Sequence, residues 1–294
     1  MNKTAYPNKV LLQDVLAGLK ALPSDSAQVI ISDPPYNIGK DFGLCKDRLE
    51  LTDYINWALP WIQESLRVLT PSGSLFIYGF SEILAHLLVH SNAPHSRWLV
   101  WHYTNKNAAA ATSWQRSHES ILVLSKNKPK FNTDLVREPY TETFLANAAG
   151  KTRAASAGRF GATESTYTAH EAGALPRDVL KHPALAGGAG ARERAHFCTT
   201  CNALVLGKDK KDHSSHKLIT HPTQKPLALT RRLIASAKNT APGEPTQVAV
   251  LFGGSGAEGI AALQENCSFV GFDINPDFVK LANLWAQQQL TSQP

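Results

Sequence analysis

Cysteine is scarce: Cys45, Cys198, Cys201 and Cys267 are scattered through 294 positions. That excludes a disulfide framework in a chain of this size and fits a reducing compartment. Long apolar runs are absent too, since no stretch approaches the roughly 20 residues that span a bilayer. The opening "MNKTAYPNKV" lacks the apolar core of a signal peptide. A soluble, cytoplasmic protein with no membrane contact is expected. Internal repeats are missing, and so is a strong charge of either sign: 30 Lys and Arg against 24 Asp and Glu give a net +6. Such a mild excess is compatible with a polyanionic partner without requiring one.

What is present is apolar residues, at 43% of the chain, enough for one large domain or a domain with a subdomain. Short apolar runs ending in Gly, Asp or Asn predict strands at 28–32, 73–79, 97–103, 120–126, 247–252 and 268–273. Several are apolar throughout, as in a parallel sheet covered on both faces. Helical spacing predicts helices over 51–69, with a kink at Pro60, and over 225–238, 257–266 and 276–290. Alternating strand and helix predicts a doubly wound α/β sheet. From about Phe131 to Ala195 this rhythm stops, in a stretch rich in Ala, Gly, Ser, Thr and Arg. Two readings stand for it: a disordered insertion, or a partner-binding subdomain with Lys151, Arg153, Arg159 and Arg177 as phosphate contacts.

Near the C-terminus, "VAVLFGGSGAEGIAALQENCSFVGFD" sets Gly254, Gly256 and Gly259 as G-x-G-x-x-G between an apolar strand and a helix, with Asp273 ending the next strand. Strand, glycine loop, helix, strand and acid in that order form a dinucleotide or adenosyl-cofactor fingerprint, in which the acid accepts hydrogen bonds from ribose hydroxyls. Only 21 residues follow Asp273, and they read as one helix. The remaining strands must then come from earlier in the chain, which brings the end of the Val29 to Ser32 run beside the glycine loop. That run ends in Asp33-Pro34-Pro35-Tyr36, for which a plain strand-ending turn is the simplest alternative.

The tetrapeptide, followed by "HPTQKP" (221–226) and "FGGSG" (252–256), resembles the amino-group DNA methyltransferases of the permuted β class, and the likeness extends through "HESILVLSK", "LPRDVL" and "RERA". The resemblance implies a Rossmann-like, circularly permuted, S-adenosylmethionine-dependent methyltransferase sheet with an inserted target-recognition region. Residues 1–130 would form the catalytic half, 131–216 the insertion and 217–294 the cofactor half. Catalysis would fall to Asp33, Pro34, Pro35 and Tyr36. Phe252, Gly254, Ser255, Gly256 and Asp273 would hold the cofactor, with His221, Thr223 and Lys225 at its methionine end. "HPTQKP" also reads as a polar helix start. Asp14 matches an acid at the edge of the family's adenine pocket, and reads equally as a helix N-cap.

The chemistry of the tetrapeptide stands apart from the resemblance. An exocyclic amine is a poor nucleophile because its lone pair is delocalised into the ring. The Asp33 carboxylate and the Pro34 carbonyl can each accept one amine hydrogen, which favours a pyramidal nitrogen, and the prolines present that carbonyl rigidly. Asp33 is also suited to take the proton, a role worth about 10²- to 10⁴-fold. Flipping a base out of a duplex costs a few kcal/mol, and stacking on Tyr36 returns roughly 1 to 3 kcal/mol.

Two features depart from the family pattern. Its loop usually reads Asp-Pro-Phe-x-Gly-Ser-Gly, but Val250 and Leu251 hold the first two places, so the acid that meets the cofactor's amino group is missing. Between "RERA" and "HPTQKP", Cys198, Cys201, His213 and His216 give C-x₂-C-x₁₁-H-x₂-H, close to structural zinc spacing. Incidental thiols in a basic, His-rich loop remain the alternative. The expected activity is site-specific DNA adenine-N6 methylation of double-stranded DNA, by a homodimer or a partner of a cognate restriction endonuclease. Cytosine-N4 methylation, a glutamine or RNA methyltransferase, and a non-catalytic DNA-binding relative are the other readings.

Overall fold

The computed structural model describes residues 5–40, 47–105, 112–147, 152–153, 165–166, 169–186 and 188–292. It divides into two compact units, one of residues 1–131 with 178–294 and one of residues 132–177. In the larger unit the chain runs β1 (Lys9–Leu12), α1 (Val15–Ala21), β2 (Ala27–Ser32), α2 (Leu51–Val68), β3 (Leu69–Gly79), α3 (Ser81–His90), β4 (His95–His102) and β5 (His118–Ser125). The smaller unit holds α4 (Glu142–Asn147) and two paired two-residue strands, β6 (Thr152–Arg153) and β7 (Ser165–Thr166). The larger unit resumes with β8 (Val179–Lys181), α5 (Gly188–Glu193), β9 (Ala195–Cys198), β10 (Ala203–Leu206) and β11 (Leu218–Thr220). It closes with α6 (Leu227–Ala237), β12 (Gln247–Leu251), α7 (Ala257–Gln264), β13 (Ser268–Asp273) and α8 (Pro276–Thr291).

Eight strands form one sheet in the order β1-β13-β12-β2-β3-β5-β4-β8. The first five are parallel, and β5 runs antiparallel to both β3 and β4. Successive strand residues point to opposite faces. Accordingly Val29, Ile31, Val248 and Val250 join one apolar cluster with α6, α7 and α8. Ile30, Ala249 and Leu251 join another with α1, α2 and α3. Both faces are covered, which is why these strands read as unbroken apolar runs. The strand before the glycine loop is twelfth in the chain, yet it lies beside the second.

Some elements differ from expectation for identifiable reasons. Helix α2 runs through Pro60 without a break, forfeiting one hydrogen bond rather than ending. The short strands β1 and β8 carry too few buried residues for periodicity to reveal; β8 buries only Leu180. A separate three-stranded sheet, β10-β9-β11, occupies 195–220. Lys151 and Arg159 of the suggested phosphate contacts lie outside the described residues; Arg153 belongs to β6, and Arg177 pairs with Glu138 at 3.5 Å within the smaller unit. No described helix is long and apolar enough to cross a membrane.

Candidate active site

The site begins where two neighbouring strands stop. Ser32, the last residue of β2, is registered against Leu251, the last of β12, and the Asp33 amide donates to the Leu251 carbonyl at 3.4 Å. From β12 the sheet continues through β13 and β1 on one side, and from β2 through β3 on the other. Such a reversal of strand order opens a crevice at the carboxyl ends of the strands, where open α/β sheets bind ligands. The tetrapeptide and the glycine loop are therefore adjacent although they lie more than 200 residues apart in the chain.

Five titratable side chains knit the tetrapeptide together. Lys225 Nζ lies 2.7 Å from each carboxylate oxygen of Asp33, and both side chains are nearly buried. The Tyr36 hydroxyl reaches Asp33 at 2.9 Å and Glu119 at 3.1 Å. Tyr103 donates to the other Glu119 oxygen at 3.4 Å. Burial raises the Asp33 pKa, opposed by the Lys225 ammonium, which makes the carboxylate a better proton acceptor. Burial alone would push Lys225 down, but Asp33 and then Glu119 outweigh it and raise its pKa. Tyr36 is buried, edge-on to Phe80 with centroids 5.2 Å apart. Its pKa is driven far up by burial and by the neighbouring acids. Pro34 is buried, and the Pro35 carbonyl accepts the Tyr54 hydroxyl at 2.7 Å.

The second loop is shaped by backbone conformation. Phe252, Gly254 and Gly256 have φ of 59°, 48° and 86°, a region that glycine enters without a side-chain penalty. A Cβ on Gly256 would lie 2.7 Å from Cα and Cβ of Ala282, so only glycine lets the loop pass this close to α8. Asp273 closes the loop: its carboxylate accepts the Gly254 amide at 2.7 Å and the Asn275 amide at 2.8 Å. Ser255 is buried, its hydroxyl 3.4 Å from the Ala257 amide.

Between the loops lies a cavity of about 300 Å³ lined by Asp14, Asp33, Asp47 and Asp273 together with Trp57, Phe252, Ile274 and Phe278. Carboxylates around apolar walls suit a ligand with an aromatic base, ribose hydroxyls and positive charge, and S-adenosylmethionine fits that description. Asp14 caps α1, accepting from Ala17 at 3.1 Å, and it also lines this cavity. His221 also lines it, and burial lowers its pKa to about 3, so the ring is neutral. Lys225 lies on Asp33 with its Nζ 3.3 Å from the Thr223 carbonyl, and neither residue is in the cavity lining. Val250 and Leu251 are sealed in the sheet interior, one facing each apolar cluster. Cys198, Cys201, His213 and His216 converge separately, on the β10-β9-β11 sheet.

Three acids escaped the sequence reading. Glu119 sits in an apolar run, and its only signal was a carboxylate inside a strand. Glu258 opens α7 fully covered, its pKa raised to about 7 by burial and by Asp33. Asp47 accepts the amides of Asn37 and Ile38 at 2.5 and 3.1 Å, bracing the chain after Tyr36.

Comparison with known proteins agrees with this geometry. The sequence profile of the N6/N4 DNA methylase family matches residues 27–284. Type II methyltransferase M.HpaI of Haemophilus parainfluenzae is 26% identical over 93% of this chain and 72% of its own. DNA adenine methyltransferase YhdJ of Escherichia coli is 27% identical over 91% and 79%. Type II methyltransferase M1.MboII of Moraxella bovis is 27% identical over 96% and 97%. Among solved structures, the cytosine-N4-specific PvuII DNA methyltransferase superposes with a TM-score of 0.62 at 16% identity, over 99% of this chain and 94% of that one. M1.HpyAVI in complex with S-adenosylmethionine gives 0.51 at 19%, over 93% and 97%. With Asp33-Pro34-Pro35-Tyr36 and the glycine loop side by side at the switch point of a doubly wound sheet, the chain belongs to the N6/N4 DNA methylase family.

Proposed function

We propose that this protein is a site-specific DNA adenine-N6 methyltransferase acting on double-stranded DNA. The observation that carries the reading is Asp33, a buried carboxylate on a proline-stiffened strand end that also borders the acidic cavity. S-adenosylmethionine, held by Asp14, Phe252, Asp273, Ile274 and Phe278, supplies the electrophilic methyl group. An ionised carboxylate offers about four acceptor positions. Tyr36 and Lys225 leave Asp33 capacity for one hydrogen of a target amine, and the Pro34 carbonyl takes the other. Lys225 holds the carboxylate in place; Asp33 then removes the amine proton. With Tyr36 covered by Phe80, a flipped base stacks on it only after the site opens above the ring. Aspartate at the first tetrapeptide position and the likeness to an adenine methyltransferase favour adenine over cytosine.

Expression in a methylation-free bacterial host followed by single-molecule sequencing tests the proposal. The expected result is N6-methyladenine at one recurring sequence, absent when Asp33→Ala is expressed instead. N4-methylcytosine would overturn the choice of base, and an unmodified genome from well-expressed protein would overturn the reading altogether.

A further inference from the structure

The β10-β9-β11 sheet holds side chains that methyl transfer does not use. Strands β9 and β10 form a hairpin in which Cys198 is registered opposite Ala203, with Cys201 in the turn and Asn202 at φ 56°. On the other side of β9, Leu218 is registered opposite Cys198, so the chain leaving His213 and His216 returns to the same end of the sheet. All four ligand atoms lie within 4.8 Å of one another. The individual separations are 3.3 Å for Cys198 Sγ to His216 Nδ1, 3.6 Å for Cys201 Sγ to His213 Nδ1, and 3.0 Å between the two Nδ1 atoms. A tetrahedral zinc with Zn–S near 2.3 Å and Zn–N near 2.0 Å sets its ligands about 3.5 Å apart for S to N and about 3.3 Å for N to N. These three separations match within a few tenths of an ångström, and the remaining pairs lie within 4.8 Å. In addition, the Cys201 amide points at Cys198 Sγ at 3.4 Å, the kind of donor that steadies a thiolate ligand. Among the described residues, no other group of three or more His, Cys, Asp or Glu side chains converges in this way.

We propose that Cys198, Cys201, His213 and His216 bind a structural zinc ion. All four tetrahedral positions are filled by protein, so the metal has no open place for water or substrate. Its task is to tie the far ends of β9, β10 and β11, which otherwise share two short ladders. The near end of the same sheet leads toward the candidate active site: the Ala195 amide donates to Gln224 at 2.9 Å, and β11 passes straight into His221, Thr223 and Lys225. Zinc therefore fixes the register of the strand that delivers Lys225 to Asp33.

The test is metal analysis of the full chain, purified with its thiols reduced from zinc-supplemented medium. About one zinc per chain is expected, falling at least tenfold in Cys201→Ser, whose side chain is exposed in the turn. Replacement by cobalt(II) should give the visible bands of a tetrahedral cobalt–thiolate centre, lost in the same variant. X-ray absorption at the zinc edge of the unaltered protein should report two sulfur and two nitrogen neighbours, a readout that survives even if every cysteine variant fails to fold. Less than a tenth of a zinc per chain together with no tetrahedral cobalt spectrum would overturn the proposal. So would stoichiometric zinc that persists in Cys201→Ser and His216→Ala, because the metal would then lie elsewhere. None of these readouts depends on methylation.

Discussion

The chain leaves two paired strands, β2 and β12, at the same level of the sheet and builds opposite kinds of loop. After Ser32 come two prolines, which freeze φ, and an acid tied to Lys225 and Tyr36. After Leu251 come glycines at positive φ, and the Gly254 main-chain amide is turned toward Asp273. Under the proposed function, one loop does chemistry with a charged side chain, so the chain around it must not move, and the other receives a ligand against its backbone, so side chains must be missing. Stiffness and bareness are separate requirements, and substitutions should separate them.

The largest effect is expected at Asp33. Asp33→Ala should lower methyl transfer by about 10²- to 10⁴-fold while leaving S-adenosylmethionine binding within a few-fold, read by single-turnover kinetics and calorimetry. An equal loss of both would erase the division of labour between the loops. Next is Lys225→Met, which leaves the Asp33 carboxylate buried without its ammonium and should cost about 3 to 5 kcal/mol in denaturant unfolding. The double variant Asp33→Ala with Lys225→Met should recover most of that stability and none of the activity. Gly256→Ala should do the opposite of Asp33→Ala: a Cβ against Ala282 at φ 86° should weaken cofactor binding by about 1 to 3 kcal/mol, roughly 5- to 150-fold.

The smallest effect concerns Glu258, between the loops. Its pKa is raised in the folded protein from 4.5 to about 7. Its contribution to stability is therefore fully present below about pH 4.5 and is lost as pH rises through about 7. Glu258→Gln should remove this dependence, so between those limits the variant loses less stability than the parent as pH rises. Parallel stability profiles for the two proteins would show that Glu258 does not titrate in this range.

Legibility in the sequence followed the range of the interaction. Strands such as "QVIIS" and "QVAVLF" were visible because burial on both faces writes an apolar run into consecutive residues. Loops were visible because proline and glycine act on their own φ. Lys225 was expected at the methionine end of the cofactor, while in the structure its ammonium lies on Asp33. Nothing in "HPTQKP" encodes that, because the partner is 192 residues away. Glu119 was overlooked for the same reason: its partners Tyr36 and Tyr103 come from a different strand end and a different loop. Helix α1 and strands β1, β8 and β11 were too short to show a period.

By itself the sequence determined the α/β alternation, the two special loops and their order, and the spacing of the Cys and His residues. Each of these rests on local stereochemistry or on chemistry confined to one short segment. Tertiary structure alone decided that Lys225 neutralises Asp33, that four aspartates share one cavity, and that Cys198 meets His216. Those depend on side chains from distant segments coming within about 3 to 4 Å, where charge and hydrogen bonding act strongly. That closeness is a property of the packed sheet and cannot be read from any one stretch of it.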